Sequence, residues 1–92
     1  MANFHISESI RRTETPDGEV LLDVKRGRMF SLNLTGAKIL QLIERGYDEP
    51  RIAEEISASY AVDLKLARND VVEFIENMRA QYILEAVGAK AR

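Results

Sequence analysis

The hydrophobic periodicity of the chain changes abruptly at Asn33. On its N-terminal side, Val20, Leu22 and Val24 alternate with other residues, a period of two that is typical of a strand. On its C-terminal side, apolar residues recur at the spacing of a helix, at Ile39, Leu40, Ile43 and Tyr47. Because an asparagine side chain can cap the first free N–H groups of a helix, the last strand of a sheet is predicted to run directly into a helix.

Three strands are predicted up to this point, over residues 10–15, 19–24 and 28–32. The segments between them are Pro16-Asp17-Gly18 and Lys25-Arg26-Gly27. Proline presets φ for a turn, and glycine adopts the left-handed conformation at no steric cost, so both segments predict hairpins. We therefore expect a three-stranded antiparallel β-meander.

The length of the second turn predicts which residues face each other across that hairpin. A three-residue turn at 25–27 pairs Leu22 with Phe30 and Val20 with Leu32. These four apolar residues then share one face of the sheet, which is a self-consistent register.

The first hairpin leaves two registers open. A three-residue turn places Arg12 and Glu14 beside the apolar residues of the second strand. A two-residue turn at Asp17-Gly18 places Thr13 and Thr15 there instead, and we favour this second pairing.

Three helices are predicted after the meander, so the fold class is α+β. The first spans about residues 34–45 and ends at Gly46, and the second begins at Asp48 with Pro50 in its first turn. The third begins after Asp63, runs to about Gln81, and is followed by a short extended piece at residues 83–84. Its apolar residues recur at spacings of three and four, at Ala67, Val71, Phe74, Ile75, Met78 and Tyr82.

The composition excludes several kinds of chemistry. The 92 residues contain no cysteine and one histidine, His5. A disulfide scaffold, thiol catalysis and cysteine-based metal sites are therefore excluded. The residues needed for a catalytic nucleophile–base pair of the Ser-His or Cys-His kind are almost absent. We expect no catalytic residue, no cofactor and no metal.

The chain also lacks the features of an exported or membrane protein. No basic segment followed by an apolar run opens the sequence, and no apolar stretch approaches the length of a bilayer span. We expect a cytoplasmic protein with no membrane partner.

A basic hairpin tip, formed by Lys25, Arg26 and Arg28, is compatible with a winged-helix-like DNA-binding domain as an alternative function. Three observations argue against nucleic acid. The net charge is −2, the hairpins precede all helices, and the third helix exposes Glu73 and Glu76.

The last strand of the meander leaves one edge unpaired, over residues 28–32. Such an edge can pair with another extended peptide, or with a second copy of the chain in a homodimer. The apolar residues of the third helix cover more than one stripe. Either they form a groove beside the edge strand, or they only contact the other helices and the sheet, and the sequence leaves both open.

Three segments, in this order, resemble PqqD-like proteins. They are residues 18–23 (GEVLLD), 27–39 (GRMFSLNLTGAKI) and 70–75 (DVVEFI), and the similarity extends over about residues 10–84. Two departures from the family pattern are the missing glycine after the third helix and Leu34 in place of the usual proline.

The resemblance implies a RiPP recognition element, with a winged helix-turn-helix-like arrangement of strands and helices. Such modules bind the leader of a ribosomally synthesised precursor peptide as an extra strand. They present it to a modifying enzyme, often a radical SAM protein, as in pyrroloquinoline quinone biosynthesis.

Carried onto this chain, the resemblance implies a peptide-binding groove between the third strand and the third helix. The strand side is Arg28, Met29, Phe30, Ser31 and Leu32. The helix side is Val71, Val72, Ile75, Met78 and Arg79. We expect a flexible segment at residues 1–9, the peptide-binding domain at 10–84 and a tail at 85–92, with Phe4 and Ile6 packing on the domain or on a partner subunit.

Overall fold

A computed structural model of the chain describes residues 4–87 and shows five strands and three helices there. In chain order, they are β1 (Phe4–Ile6), β2 (Ile10–Thr15), β3 (Gly18–Asp23), β4 (Arg28–Asn33), α1 (Leu34–Glu44), α2 (Glu49–Tyr60), α3 (Leu64–Ala80) and β5 (Leu84–Ala86). Strands β2, β3 and β4 form an antiparallel sheet in that order, and β1 pairs with β5 in a second sheet. The predicted α+β fold, a meander followed by three helices, is confirmed.

Each helix begins after a capping side chain. The Asn33 carboxamide oxygen accepts from the Gly36 N–H at 2.8 Å, and the Asp48 carboxylate accepts from the Arg51 N–H at 3.1 Å. Asp63 caps α3 in the same way. Because a cap satisfies N–H groups that have no partner within the helix, these short-range contacts set the helix starts that the sequence predicted.

The predicted register of the second hairpin is wrong by one residue. Asp23 pairs with Arg28 and Leu21 pairs with Phe30, so the turn spans four residues, 24–27. The Asp23 carboxylate accepts from the N–H groups of Lys25 and Arg26 at 3.1 Å each, and the Asp23 carbonyl accepts from Gly27 at 2.7 Å. These bonds stabilise the longer turn.

The shift reverses which face of β3 is buried. Glu19, Leu21 and Asp23 point inward, whereas Leu22 lies on the outer face and is exposed. The Arg12 guanidinium contacts Glu19 at 2.7 Å and also reaches Glu44 of α1. Burying a carboxylate is tolerated when it is paired and hydrogen-bonded, so this pairing allows the less apolar face of β3 to be the inner one.

The first hairpin has a two-residue turn, but at Pro16-Asp17 rather than at Asp17-Gly18. Thr15 pairs with Gly18 and Thr13 pairs with Val20. The favoured pairing therefore correctly placed Thr13 and Thr15 on the same face of the sheet as Val20. Its register is wrong by two residues.

The segments that precede and follow the predicted domain pair with each other. Phe4 lies opposite Ala86 and Ile6 opposite Leu84, and the Ser7 N–H donates to the Ile83 carbonyl at 2.8 Å. Phe4 and Ile6 pack against the core of the same chain. Residues 4–9 and 85–87 are therefore part of the fold, in contrast to the expected flexible segment and tail. Residues 1–3 and 88–92 of those predicted segments lie outside the described residues.

The core lies between the inner face of the larger sheet and the three helices. Leu21 of β3, Leu40 of α1, Ile52 of α2 and Val71 of α3 are all at most 1% exposed. This packing holds α3 alongside β4, with an open space between them.

Candidate functional site

Strand β4 is an edge of the three-stranded sheet. The Val24 N–H donates to the Ser9 carbonyl across the β2–β3 hairpin at 3.0 Å, so even-numbered residues of β3 bond toward β2. In an antiparallel ladder the bonding direction alternates, and odd-numbered residues of β3 therefore bond toward β4. Their partners Phe30 and Leu32 bond back to β3, which leaves the N–H and C=O groups of Met29 and Ser31 directed away from the sheet.

These outward groups have no backbone partner within residues 4–87. The side chains of β4 alternate with them, because Phe30 and Leu32 are half-buried against the core whereas Met29 is 68% exposed. The strand therefore presents an unpaired backbone edge together with a large exposed apolar side chain.

An open groove of about 500 Å³ separates this edge from α3. It is lined by Met29, Phe30, Ser31, Leu32, Asn33, Gly36, Phe74, Asn77, Met78 and Gln81. The helix side is one face of α3, because its residues are spaced by three or four. This face combines an aromatic ring, a thioether and two carboxamides, which can contact apolar side chains and hydrogen-bond to a peptide backbone.

Gly36 allows α1 to lie close to the Phe74 ring. A Cβ atom added to Gly36 would lie 3.2 Å from Cε1 of Phe74 and 3.4 Å from Oδ1 of Asn33. The missing side chain leaves room for the aromatic ring at the centre of the groove.

Beyond Phe74 the groove continues into a second space of about 300 Å³. Asn33, Gly36, Phe74 and Asn77 line both spaces, and Asp70 and Glu73 line only the second. The groove therefore has no charged lining residue beside β4 and is acidic past the end of that strand.

Arg28 closes the opposite end of the groove. Its Nη1 donates to Oε1 of Gln81 at 2.9 Å, and its Nη2 donates to the Gln81 carbonyl at 2.8 Å. The Asp23 carboxylate lies 3.9 Å from Nη2. These contacts join the start of β4 to the end of α3.

Asp23 stabilises this end of the groove as a carboxylate. Burial raises the pKa of Asp23, but hydrogen bonds from the Arg26 N–H, the Ser9 hydroxyl, the Arg26 guanidinium and the Lys25 N–H outweigh it. The net effect is a pKa below the ordinary value of 3.8.

The structure brings the predicted strand residues to one edge, but only one predicted helix residue to the groove. Met29, Phe30, Ser31, Leu32 and Met78 line it, and Arg28 bonds across its end. The other four helix residues lie elsewhere, because Val71 (1% exposed) and Ile75 (3%) are in the core, Val72 faces solvent, and Arg79 lies 5.5 Å from the Phe4 ring.

Sequence reasoning missed Phe74, Asn77 and Gln81 on the helix side. The spacing i, i+3, i+7 from Phe74 places the two carboxamides on its face of the helix, and carboxamides can pair with an extended backbone. This spacing was overlooked because the apolar residues at 71, 75 and 78 form a larger stripe on the helix, which is buried.

Two of the three basic side chains of the hairpin tip, Arg26 and Arg28, are engaged within the chain. The Arg26 guanidinium contacts Asp23 at 3.4 Å and stacks on Tyr82 at 4.3 Å, and Arg28 is bonded to Gln81. The α3 face that lines the groove carries Asp70 and Glu73. This arrangement disfavours phosphate binding.

Neither a metal cluster nor a membrane span is found in the described part of the chain. Residues 4–87 contain no group of three or more His, Asp or Glu side chains placed to hold a metal ion. No helix among them is long and apolar enough to cross a bilayer.

Comparison with protein-family models matches residues 18–84 to Coenzyme PQQ synthesis protein D (PqqD). Two solved structures are similar over nearly the whole chain. A lasso peptide synthetase B1 complexed with the leader peptide is 25% identical, with a TM-score of 0.84, over 90% of this chain and 98% of that one. TbiB1 in complex with the TbiA(beta) leader peptide is 29% identical, with a TM-score of 0.80, over 95% and 98%. Comparison with curated proteins gave no match.

Proposed function

This chain belongs to the PqqD family, and we propose that it binds the leader of a ribosomally synthesised precursor peptide as an added strand on β4. The observation that carries this proposal is the unpaired edge of β4 facing α3 across an open groove. Both similar structures are complexes with leader peptides, which supports the same class of ligand here.

The backbone edge alone supports only weak binding. Met29 and Ser31 each offer one N–H and one C=O, so a guest strand makes about four hydrogen bonds of roughly 0.5–1.5 kcal/mol net each. Ordering the guest offsets much of this. Useful affinity therefore requires side-chain contacts in the groove, and Phe74 and Met78 supply apolar surface for them.

The proposed site keeps the strand side predicted from the sequence and changes the helix side. Arg28 to Leu32 bind on one side of the guest strand. Phe74, Asn77, Met78 and Gln81 bind on the other, in place of Val71, Val72, Ile75 and Arg79.

The partner of such a module is the enzyme that modifies the bound precursor. The family relationship supports a radical SAM enzyme or another RiPP maturase, and the two similar structures extend the choice to a lasso peptide pathway. We assign the chain a binding role without catalysis, in the cytoplasm where newly made precursor is available.

A proline scan of the two sheet edges tests the proposal. Ser31→Pro removes an N–H that points away from the sheet, so it should abolish binding and leave the β3–β4 ladder intact. Glu14→Pro is the matched control, because the same alternation directs the Glu14 N–H away from the sheet on the opposite edge, β2. Ser31→Ala, which keeps the N–H, should bind normally.

The measurement is the fluorescence anisotropy of a labelled leader from a precursor peptide that is first sought among the neighbouring genes, with circular dichroism to verify folding. Normal binding by a folded Ser31→Pro variant would place the site elsewhere. If size-exclusion chromatography shows a dimer that Ser31→Pro converts to a monomer, the edge pairs with a second copy instead.

A further inference from the structure

We propose that the leader bound in this groove carries a basic side chain, lysine or arginine, which lies against Asp70 and Glu73 and is selected by these two carboxylates. The inference rests on the proposed function, because it names the chemistry of the peptide that the same groove accepts.

The two carboxylates lie where a guest strand leaves the end of β4. The second space that they line begins at Asn33, the last residue of β4, and shares part of its lining with the groove beside β4. A peptide that pairs with Met29 and Ser31 and extends by a few residues in that direction brings its next side chains in front of Asp70 and Glu73.

Neither carboxylate is neutralised by a side chain of the described residues. Within residues 4–87, the salt bridges of 4.0 Å or less involve other acidic residues. Lys38 of α1 lines a different cavity, together with Arg12 and Tyr60. The N-terminus of α1 lies nearby, but a helix end contributes only about half a positive charge, and the Asn33 side chain already accepts one of its N–H groups.

The opposite end of the groove carries the opposite charge. Arg28 and Gln81 close it, and Arg26 stacks on Tyr82 just beyond. A basic side chain is therefore attracted to the Asn33 end and repelled from the Arg28 end. This asymmetry links the position of the basic residue to the direction of the guest strand. We call the guest's apolar side chains that contact Phe74 and Met78 its apolar anchors. The basic residue precedes these anchors in the guest sequence if the guest runs antiparallel to β4, and it follows them if the guest runs parallel.

A displayed library of random 15-residue peptides tests this inference. Selection is performed on the wild-type protein, on the double variant Asp70→Asn/Glu73→Gln, and on the control Glu54→Gln/Glu76→Gln. The control removes the same two charges from exposed positions outside the groove. Circular dichroism confirms that all three proteins are folded.

The wild-type and control pools should be enriched in apolar anchors and in Lys or Arg at a fixed distance from them. The double-variant pool should keep the anchors and lose the basic preference. For a single selected peptide, replacing its basic residue with glutamine should weaken binding to the wild type by about two- to fivefold, the range of an exposed ion pair. The same replacement should leave binding to the double variant unchanged.

Two kinds of failure are distinguishable. Apolar enrichment without a basic preference, or a basic preference that persists in the double variant, overturns the inference and leaves the proposed function standing. If no peptide is enriched, or if a folded Ser31→Pro variant binds the selected peptides normally, the proposed function is overturned and the inference with it.

Discussion

Replacing Arg28 with methionine should lower the free energy of unfolding by about 2 kcal/mol and loosen one end of the groove. The guanidinium donates to the side chain and to the main chain of Gln81, at 2.9 and 2.8 Å. Methionine occupies similar space along the chain but has no donor, so β4 and α3 lose this connection.

The magnitude follows from the surroundings of the guanidinium. Hydrogen bonds to a charged group contribute about 1.5–3 kcal/mol each, and the 38% exposure of Arg28 favours the low end of that range. The buried Nε atom has no hydrogen-bond partner among the described residues, which costs about 1 kcal/mol that the variant recovers. About 2 kcal/mol remains, and for a chain of this size it corresponds to a Tm lower by about 8–16 °C.

Urea denaturation followed by circular dichroism measures the loss, and anisotropy with a leader peptide measures the effect on binding. Arg26→Met is the matched control, because it removes the same charge from a side chain that makes one 3.4 Å contact and a stacking contact. We expect the control to lose less than about 1 kcal/mol. Equal losses in the two variants would refute the role of Arg28 as the connection between β4 and α3.

Two further predictions concern acid stability and the faces of α3. The pKa of Asp23 is lower in the folded state than its ordinary value, so Asp23 stabilises the fold above about pH 4 and loses this effect as pH falls through its folded pKa. Urea melts between pH 2 and 5 should therefore show that the free energy of unfolding falls less steeply with decreasing pH for Asp23→Asn than for wild type. Equal slopes for the two proteins would contradict this prediction. Val71→Ala should cost about 1.5–3 kcal/mol because Val71 is buried, whereas Val72→Ala on the outer face should cost under about 0.5 kcal/mol and leave peptide binding unchanged. Reduced binding by a stable Val72→Ala variant would place the groove on that other face.

The three strands of the meander and the three helices were predictable because their signals are local. Asn33, Asp48 and Asp63 each cap a helix through a bond to an N–H two or three residues later. The edge position of β4 was also predictable, because it is the last strand of a meander that continues into a helix.

The α3 side of the groove was not predictable in the same way. Val71, Ile75 and Met78 form an apolar stripe that, from the sequence, fits a groove lining as well as a core. Only the packing against α1 and the sheet shows that this stripe is mostly buried. Phe74, Asn77 and Gln81 lie on a neighbouring face, and their role depends on the position of β4 across the groove.

The sequence alone therefore determined the order of the three meander strands and the three helices, the places where the helices begin, and the free edge, since these depend on residues close together in the chain. The tertiary structure decided which face of β3 is buried and which face of α3 lines the groove. Burial of Glu19 depends on Arg12, which in turn bonds Glu44 on a helix more than thirty residues away. Contacts between residues so distant in sequence leave no periodic signal, and only the folded chain shows them.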